Sequence, residues 1–324
     1  MSGPVSRSQR LAGRIRRGGI ARLRKAAGLL PLSERTSGGI PTALLNAKRR
    51  ELARRRTFGP TDLEILATLL DRADAVLPLR ECIDPDRPRP ARLIGLRHDT
   101  DHDIEGAVRL AEWEAEHGYR STWFVLHGDW YWGGPGAATP SRFVLRALDR
   151  IAALGHEVGL HNNAVTLALL TGEDPHRILE RDLAALRRHG FDVVGSVRHG
   201  DPLCHRLGYL NSELFVECPR PDSGPTDRTL EYDDSTTGLR RQLHLRARPM
   251  AEFGLSYEAN SVGQTLYQTD TGGHWGAPFD EIEGRFAAEG GFLQILVHPV
   301  WWAAPGEAVR PRPATGLEPG SATL

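Results

Sequence analysis

Cysteine is scarce. Cys82, Cys204 and Cys218 are the only three in 324 residues, an odd number without CxxC spacing. That excludes a disulfide framework and fits a reducing compartment. Long apolar runs are missing from the start of the chain. Arg7, Arg10, Arg14, Arg16, Arg17, Arg22 and Arg24 interrupt every apolar stretch there, so neither a secretory h-region nor a membrane span forms. A cytoplasmic protein is expected; an Arg-rich transit peptide or surface helix is the other reading, weakened by Gly13, Gly18 and Gly19. Net charge is lacking too, with 41 basic against 41 acidic residues. The balance hides an asymmetry. Residues 1–56 hold 15 Arg and Lys against 2 acids, leaving 26 against 39 for residues 57–324. A basic arm on an acidic body either folds back on it, stays solvated, or meets an anionic surface. No specific nucleic-acid motif accompanies it.

What is present begins with length. A chain of this size with 40% apolar content buries one large domain or two modest ones. Four segments are expected: a partly helical basic arm (1–56), a helical lead-in and Pro-rich loop (57–91), a main α/β domain (92–303), and a disordered Pro/Gly-rich tail (304–324). In the arm Thr42 to Arg56 reads as a helix, and Thr61 to Ala75 as a better one, with Leu63, Ile65, Leu66, Leu69 and Leu70 on one face. From Arg92 strands and helices alternate. Helices are expected over Ile104 to His117, Ser141 to Leu154, and from an Asp174 cap with Pro175 to Arg188. Strands are expected at Ser121 to Leu126, Glu157 to His161 and Val193 to Val197, with further candidates Leu214–Glu217, Phe253–Tyr257, Thr265–Gln268 and Phe292–Val297. Such alternation argues for parallel strands with helices outside, hence a barrel or a doubly wound sheet.

The centre of the chain is Ile94-Gly95-Leu96-Arg97-His98-Asp99-Thr100-Asp101-His102-Asp103. An apolar run ends in a knot of acids and imidazoles. Residues two apart on an extended backbone share a face, so Asp99 and Asp101 look into one space. Carboxylates buried without partners are costly, whereas oxygens and imidazole nitrogens together suit a divalent metal such as zinc. Other strands end in His161, in Arg198 and His199, in Asp270 and in His298. In α/β barrels the C-terminal strand ends form one face, where reactive groups collect.

Arg97-His98-Asp99-Thr100-Asp101, Gly155-His156-Glu157-Val158-Gly159-Leu160-His161 and Val297-His298-Pro299, in that order, resemble the polysaccharide deacetylase (NodB-homology, carbohydrate esterase 4) superfamily over about residues 92–303. Thr122-Trp123-Phe124-Val125 is similar to its second strand. The resemblance implies a distorted (β/α)7-type barrel, here with extra N-terminal helices. It also implies one divalent metal, usually zinc, and hydrolysis of N- or O-acetyl groups on a sugar or glycan. It makes Asp99 the base, Asp101 and His161 metal ligands, and His298 the acid. The chain departs from the family at Val165, where a second metal histidine is expected four residues after His161. Either the site is lost or another residue replaces that ligand, and His199 is the candidate. His161-Asn162, His199-Gly200 and Asp270-Thr271-Gly272-Gly273 are similar to an atypical branch of the superfamily. Arg198 and Asp270 join the catalytic candidates, Arg198 as a group that orients Asp99 or as an ordinary surface arginine. Asn163, Trp275 and Trp301 are placed with the substrate, the tryptophans, with Trp302, as sugar-stacking rings or as core. A C–N hydrolase of a small non-sugar amide and a catalytically silent glycan- or partner-binding relative remain the alternatives.

Overall fold

A computed structural model describes residues 36–219, 227–234 and 237–312 of the chain. Most of the basic arm (1–35) and residues 313–324 of the tail, with its expected disorder, lie outside the described residues. Among the described residues no helix is long and apolar enough to cross a membrane.

Strand Arg92–Thr100 is buried along its whole length except Arg92. It is the middle of an eight-stranded, all-parallel sheet. In chain order the strands are β1 (Ala75–Leu77), β2 (Arg92–Thr100), β3 (Thr122–Leu126), β4 (Glu157–Asn162), β5 (Gly195–Arg198), β6 (Tyr257–Glu258), β7 (Leu266–Thr269) and β8 (Gly291–Val297). Their spatial order is β6-β5-β4-β3-β2-β8-β7, with β1 beside the first half of β2. Alternate β2 residues meet two different apolar clusters. Ile94 and Leu96 join the large one with Trp123, Val125 and Leu160. Leu93 joins a smaller one with Leu79, Phe124, Val197, Tyr257 and Phe292. A strand covered on both faces reads as a near-continuous apolar run, as this one does.

The sheet curls into a half-barrel, as far as the expected barrel-like α/β fold is seen, but does not close: β6 and β7 make no ladder with each other. Side chains from β8 and β2 reach the segment after β6. Gln294 Nε2 donates to the Ala259 carbonyl at 2.7 Å, and Arg97 Nη1 to Asn260 Oδ1 at 2.9 Å.

Among the described residues nine α-helices accompany the sheet: α1 (Thr42–Ala53), α2 (Pro60–Leu70), α3 (Leu79–Cys82), α4 (Ile104–Glu116), α5 (Arg142–Ala153), α6 (Ala164–Thr171), α7 (Pro175–His189), α8 (Pro202–Leu207) and α9 (Phe279–Glu289). The Asp174 carboxylate caps α7 by accepting from His176 N and Arg177 N, as its sequence position implies. Helix α2 stops short of the expected Ala75. Asp74 accepts from the Arg92 backbone and guanidinium, both at 2.8 Å, and Ala75 then starts β1. Leu214–Glu217 is not a strand. Glu213 accepts from the Leu210 amide at 2.8 Å and sets up a 3-10 turn, Asn211–Leu214. Phe253 likewise ends a 3-10 turn, so only Tyr257 of that candidate is extended. Helix α6 has no polar stripe because it is buried through Leu169; an all-round apolar helix carries no periodicity to read. An antiparallel hairpin, Arg228–Asp234 with Leu239–Leu245, stands apart from the sheet.

Residues 304–312 run back along the lead-in. The Arg310 amide donates to the Arg56 carbonyl at 2.8 Å, and the Arg312 guanidinium pairs with Asp62 and lies over the Phe58 ring.

Close packing of β3 against β4 leaves no room for a side chain at Gly159. A Cβ on Gly159 would stand 2.4 Å from the fully buried Phe124 ring. Gly159→Ala is therefore expected to cost about 1–3 kcal/mol through overpacking, read as a lowered urea midpoint at unchanged slope. An unchanged midpoint would show that the β3–β4 face is looser than described.

Candidate metal centre

Parallel pairing puts the C-terminal ends of β2, β4, β5, β7 and β8 on one rim. The rim surrounds a pocket of about 380 Å³ lined by Asp99, Asp101, His161, His199 and His298, among others. Arg97 and Asp99 project from the same face of β2, two residues apart. The Arg97 guanidinium grips both Asp99 oxygens, Nε to Oδ1 at 2.9 Å and Nη2 to Oδ2 at 2.8 Å. Both residues are almost wholly buried. Burial alone would raise the Asp99 pKa, yet Arg97, with His161 and His298, holds it below the ordinary carboxylate range.

Beyond Thr100 the chain turns, with the Asp101 amide on the Asp99 carbonyl at 2.8 Å, and presents the Asp101 carboxylate to two imidazoles. Oδ1 lies 3.1 Å from His161 Nε2 and 3.8 Å from His199 Nε2, and the three atoms fall within 4.8 Å of one another. Ligands at ~2.1 Å on a tetrahedron stand about 3.4 Å apart, so the spacing suits one ion. The outer ring nitrogens settle the tautomers. His161 Nδ1 faces the Val197 carbonyl at 3.2 Å, and His199 Nδ1 faces Asn163 Oδ1 at 3.2 Å. Both partners are acceptors, so Nδ1 carries a hydrogen, and in the neutral ring Nε2 keeps its lone pair.

With both rings neutral, lone pairs point at a buried carboxylate oxygen that has no other hydrogen-bond donor. Such an arrangement needs a cation or a proton between its members. Burial works against charge on Asp101, but His161, His199 and His298 outweigh it and hold Asp101 far below the usual range. Burial pulls the His161 pKa down, and Asp99 and Asp101 more than reverse this. Burial lowers His199 to about 4, leaving it neutral, the form a metal binds.

On the same rim, Asp270 follows β7 and is fully buried. It accepts from the His298 amide at 3.0 and 2.9 Å and from Trp302 Nε1 at 2.7 Å, and sits 2.6 Å from His298 Nδ1. His298 Nε2 faces inward, 4.0 Å from Asp101 Oδ2. Burial depresses the His298 pKa, but Asp270 overrides it and raises it to about 9.

The structure thus brings Asp99, Asp101, His161, His199 and His298 together, with Asp270 behind His298. Arg198 lines the pocket, but its backbone amide bonds Glu258 Oε1; the arginine that holds Asp99 is Arg97. Asn163 does not line the pocket and serves His199 instead. Trp275 stands in an aromatic cluster with Phe58, Phe279 and Trp302, and Trp301 closes the loop after His298 through backbone bonds. Neither tryptophan lines the pocket; the rings that do are Tyr209 and Tyr267. Asn211 escaped the sequence reading. It is fully buried and donates to the His199 carbonyl at 2.8 Å while accepting from the Val165 amide at 3.0 Å. Val165 itself is fully buried, so the position of the absent histidine belongs to the core.

No protein-family model, curated protein or solved structure matches this chain.

If Asn163 fixes the His199 ring, Asn163→Ala should weaken zinc binding by about 10–100-fold. His199→Ala should weaken it at least as much, and as much as His161→Ala. Competition against a chromophoric chelator reads all three, and wild-type affinity in His199→Ala would remove His199 from the ligand set.

Proposed function

We propose that this chain is a metal-dependent hydrolase that removes N- or O-linked acetyl groups from a sugar or glycan. The observation carrying this reading is the Asp101 oxygen facing two imidazole lone pairs, between an Arg97-held carboxylate and an Asp270-held imidazole. The motif resemblance supplies the acetyl-sugar chemistry, and the half-barrel is read as an open form of the distorted (β/α)7-type barrel. Asp101, His161 and His199 would hold the ion, with zinc the best match to one carboxylate and two imidazoles. Three unpaired cysteines favour a cytoplasmic setting.

A metal bound there supplies a Lewis acid that polarises the acyl carbonyl and lowers the pKa of water toward about 7. The protein's own groups do the rest. Asp99 takes the proton of the attacking water. Arg97 occupies one lone pair on each Asp99 oxygen, and each oxygen retains another. Arg97 also keeps Asp99 ionised at neutral pH. His298 holds its Nδ1 hydrogen against Asp270 and delivers the Nε2 proton to the departing nitrogen or oxygen.

A small non-sugar amide is the second reading, favoured by a pocket of about 380 Å³, at the lower end of small-molecule sites. Acetate release by zinc-loaded protein from N- and O-acetylated sugars, compared with simple amides, decides between them. Zinc binding without turnover of any of these would leave the silent, glycan-binding reading.

The roles predict separable defects. Asp99→Asn should keep the metal and lose about 10²–10⁴-fold in turnover, whereas Asp101→Asn should lose metal and recover in part with excess zinc. Metal loss in the first with retention in the second would reverse the assignment.

The pH profile gives a further check. A raised pKa means that His298 is protonated below about 9 and loses its proton as pH rises through that value. Activity should therefore fall on the alkaline side. Asp270→Asn removes the charge that raises the pKa, so its alkaline limb should move to lower pH. An unmoved limb would take His298 out of the acid role.

A further inference from the structure

Arg56 closes the basic arm in the sequence, yet in the fold it is 3% exposed. A guanidinium that deep needs partners. Its Nε stands 3.5 Å from Glu307 Oε2, and its two Nη atoms find partners on two loops. Nη1 donates to the carbonyls of Pro299 and Val300, both at 2.9 Å. Nη2 stands 2.6 Å from Asp103 Oδ2. The first pair belongs to the turn directly after His298; the second follows Asp101 by two residues. Asp103 is also the cap of α4, its Oδ1 accepting from Gly106 N at 2.9 Å. Between Asp101 and Asp103, His102 sits at φ 62°, in a left-handed conformation a non-glycine residue keeps only where its surroundings impose it. The residues beside Arg56 extend the brace. Thr57 N and Phe58 N donate to the Trp301 carbonyl at 2.8 and 3.0 Å, and Ala303 N to the Phe58 carbonyl at 2.8 Å. Phe58 stacks on Trp302 at 4.7 Å, the indole that donates to Asp270.

We propose that Arg56, from outside the sheet, is a positioning residue that locks the Asp101–Asp103 turn and the His298–Trp302 turn into one rigid unit. It thereby fixes the distance between the metal carboxylate and the acid. The catalytic consequence rests on the hydrolase reading; the mechanical coupling does not. A planar fork reaches two carbonyls and a carboxylate at once, whereas a lysine ammonium is a point donor, so lysine should substitute only in part.

The test uses the full chain and two kinds of measurement. In native-state hydrogen exchange of the wild type, segments 101–106 and 298–303 should open as one cooperative unit. In Arg56→Met both should lose protection together, with β3 and β4 unchanged and Arg56→Lys intermediate. Zinc affinity in Arg56→Met should fall about 10–100-fold. At saturating zinc kcat should still fall about 10²-fold with KM little changed. Independent opening of the two segments in the wild type overturns the proposal even if no variant folds. A folded Arg56→Met with wild-type protection and zinc affinity overturns it as well. Coupled opening in a protein that binds no zinc would sink the hydrolase reading and leave the brace standing.

Discussion

A carboxylate oxygen enclosed by two imidazole lone pairs is electrostatically incomplete, and the rim of this half-barrel is built around that incompleteness. His161 is pinned through Nδ1 to the Val197 carbonyl, and His199 through Nδ1 to Asn163. Asn211 in turn ties the His199 carbonyl to the start of α6. A site that rigid around unmatched lone pairs is preorganised for a cation. Parallel strands supply the rest, because every strand that carries a reactive residue ends on the same side of the sheet.

The charges around the centre are arranged in pairs that push two functional groups apart. Arg97 reaches Asp99 from below and favours its anion; Asp270 reaches His298 from behind and favours its cation. In the proposed hydrolase, base and acid would thus hold opposite protonation states at one pH, the condition for moving a proton in and another out. Neither partner needs to touch a substrate. Each is buried, so its field is little screened by solvent.

Much of this was legible before any coordinates. The strand ending in Asp99 and Asp101, and the convergence of His161, His199, Asp270 and His298, follow from βα alternation and apolar runs. Arg97 was also within reach, since period two places it on the Asp99 face, yet Arg198 drew the role through its position at another strand end. Other features carry no local signal. Helix α6 is apolar on all sides, and Asn211 works through a turn set by Glu213. Gln294 and Arg97 reach from β8 and β2 to the segment after β6 with side chains, a long-range fact absent from any window of sequence. The aromatic residues misled for a related reason. Trp275 and Trp301 flank the site in sequence, but Phe58, sixteen or more residues before any strand of the sheet, covers them from the lead-in.

The central claim is that the enclosed Asp101 oxygen and its two imidazoles hold a metal ion. Elemental analysis of the full chain, purified without added metal and then equilibrated with zinc and desalted, tests it most directly, with X-ray absorption at the zinc edge to identify the neighbours. The account predicts about one zinc per chain, bound by two imidazole nitrogens and oxygen. Zinc at background levels, or a bound ion with no imidazole in its shell, would contradict it.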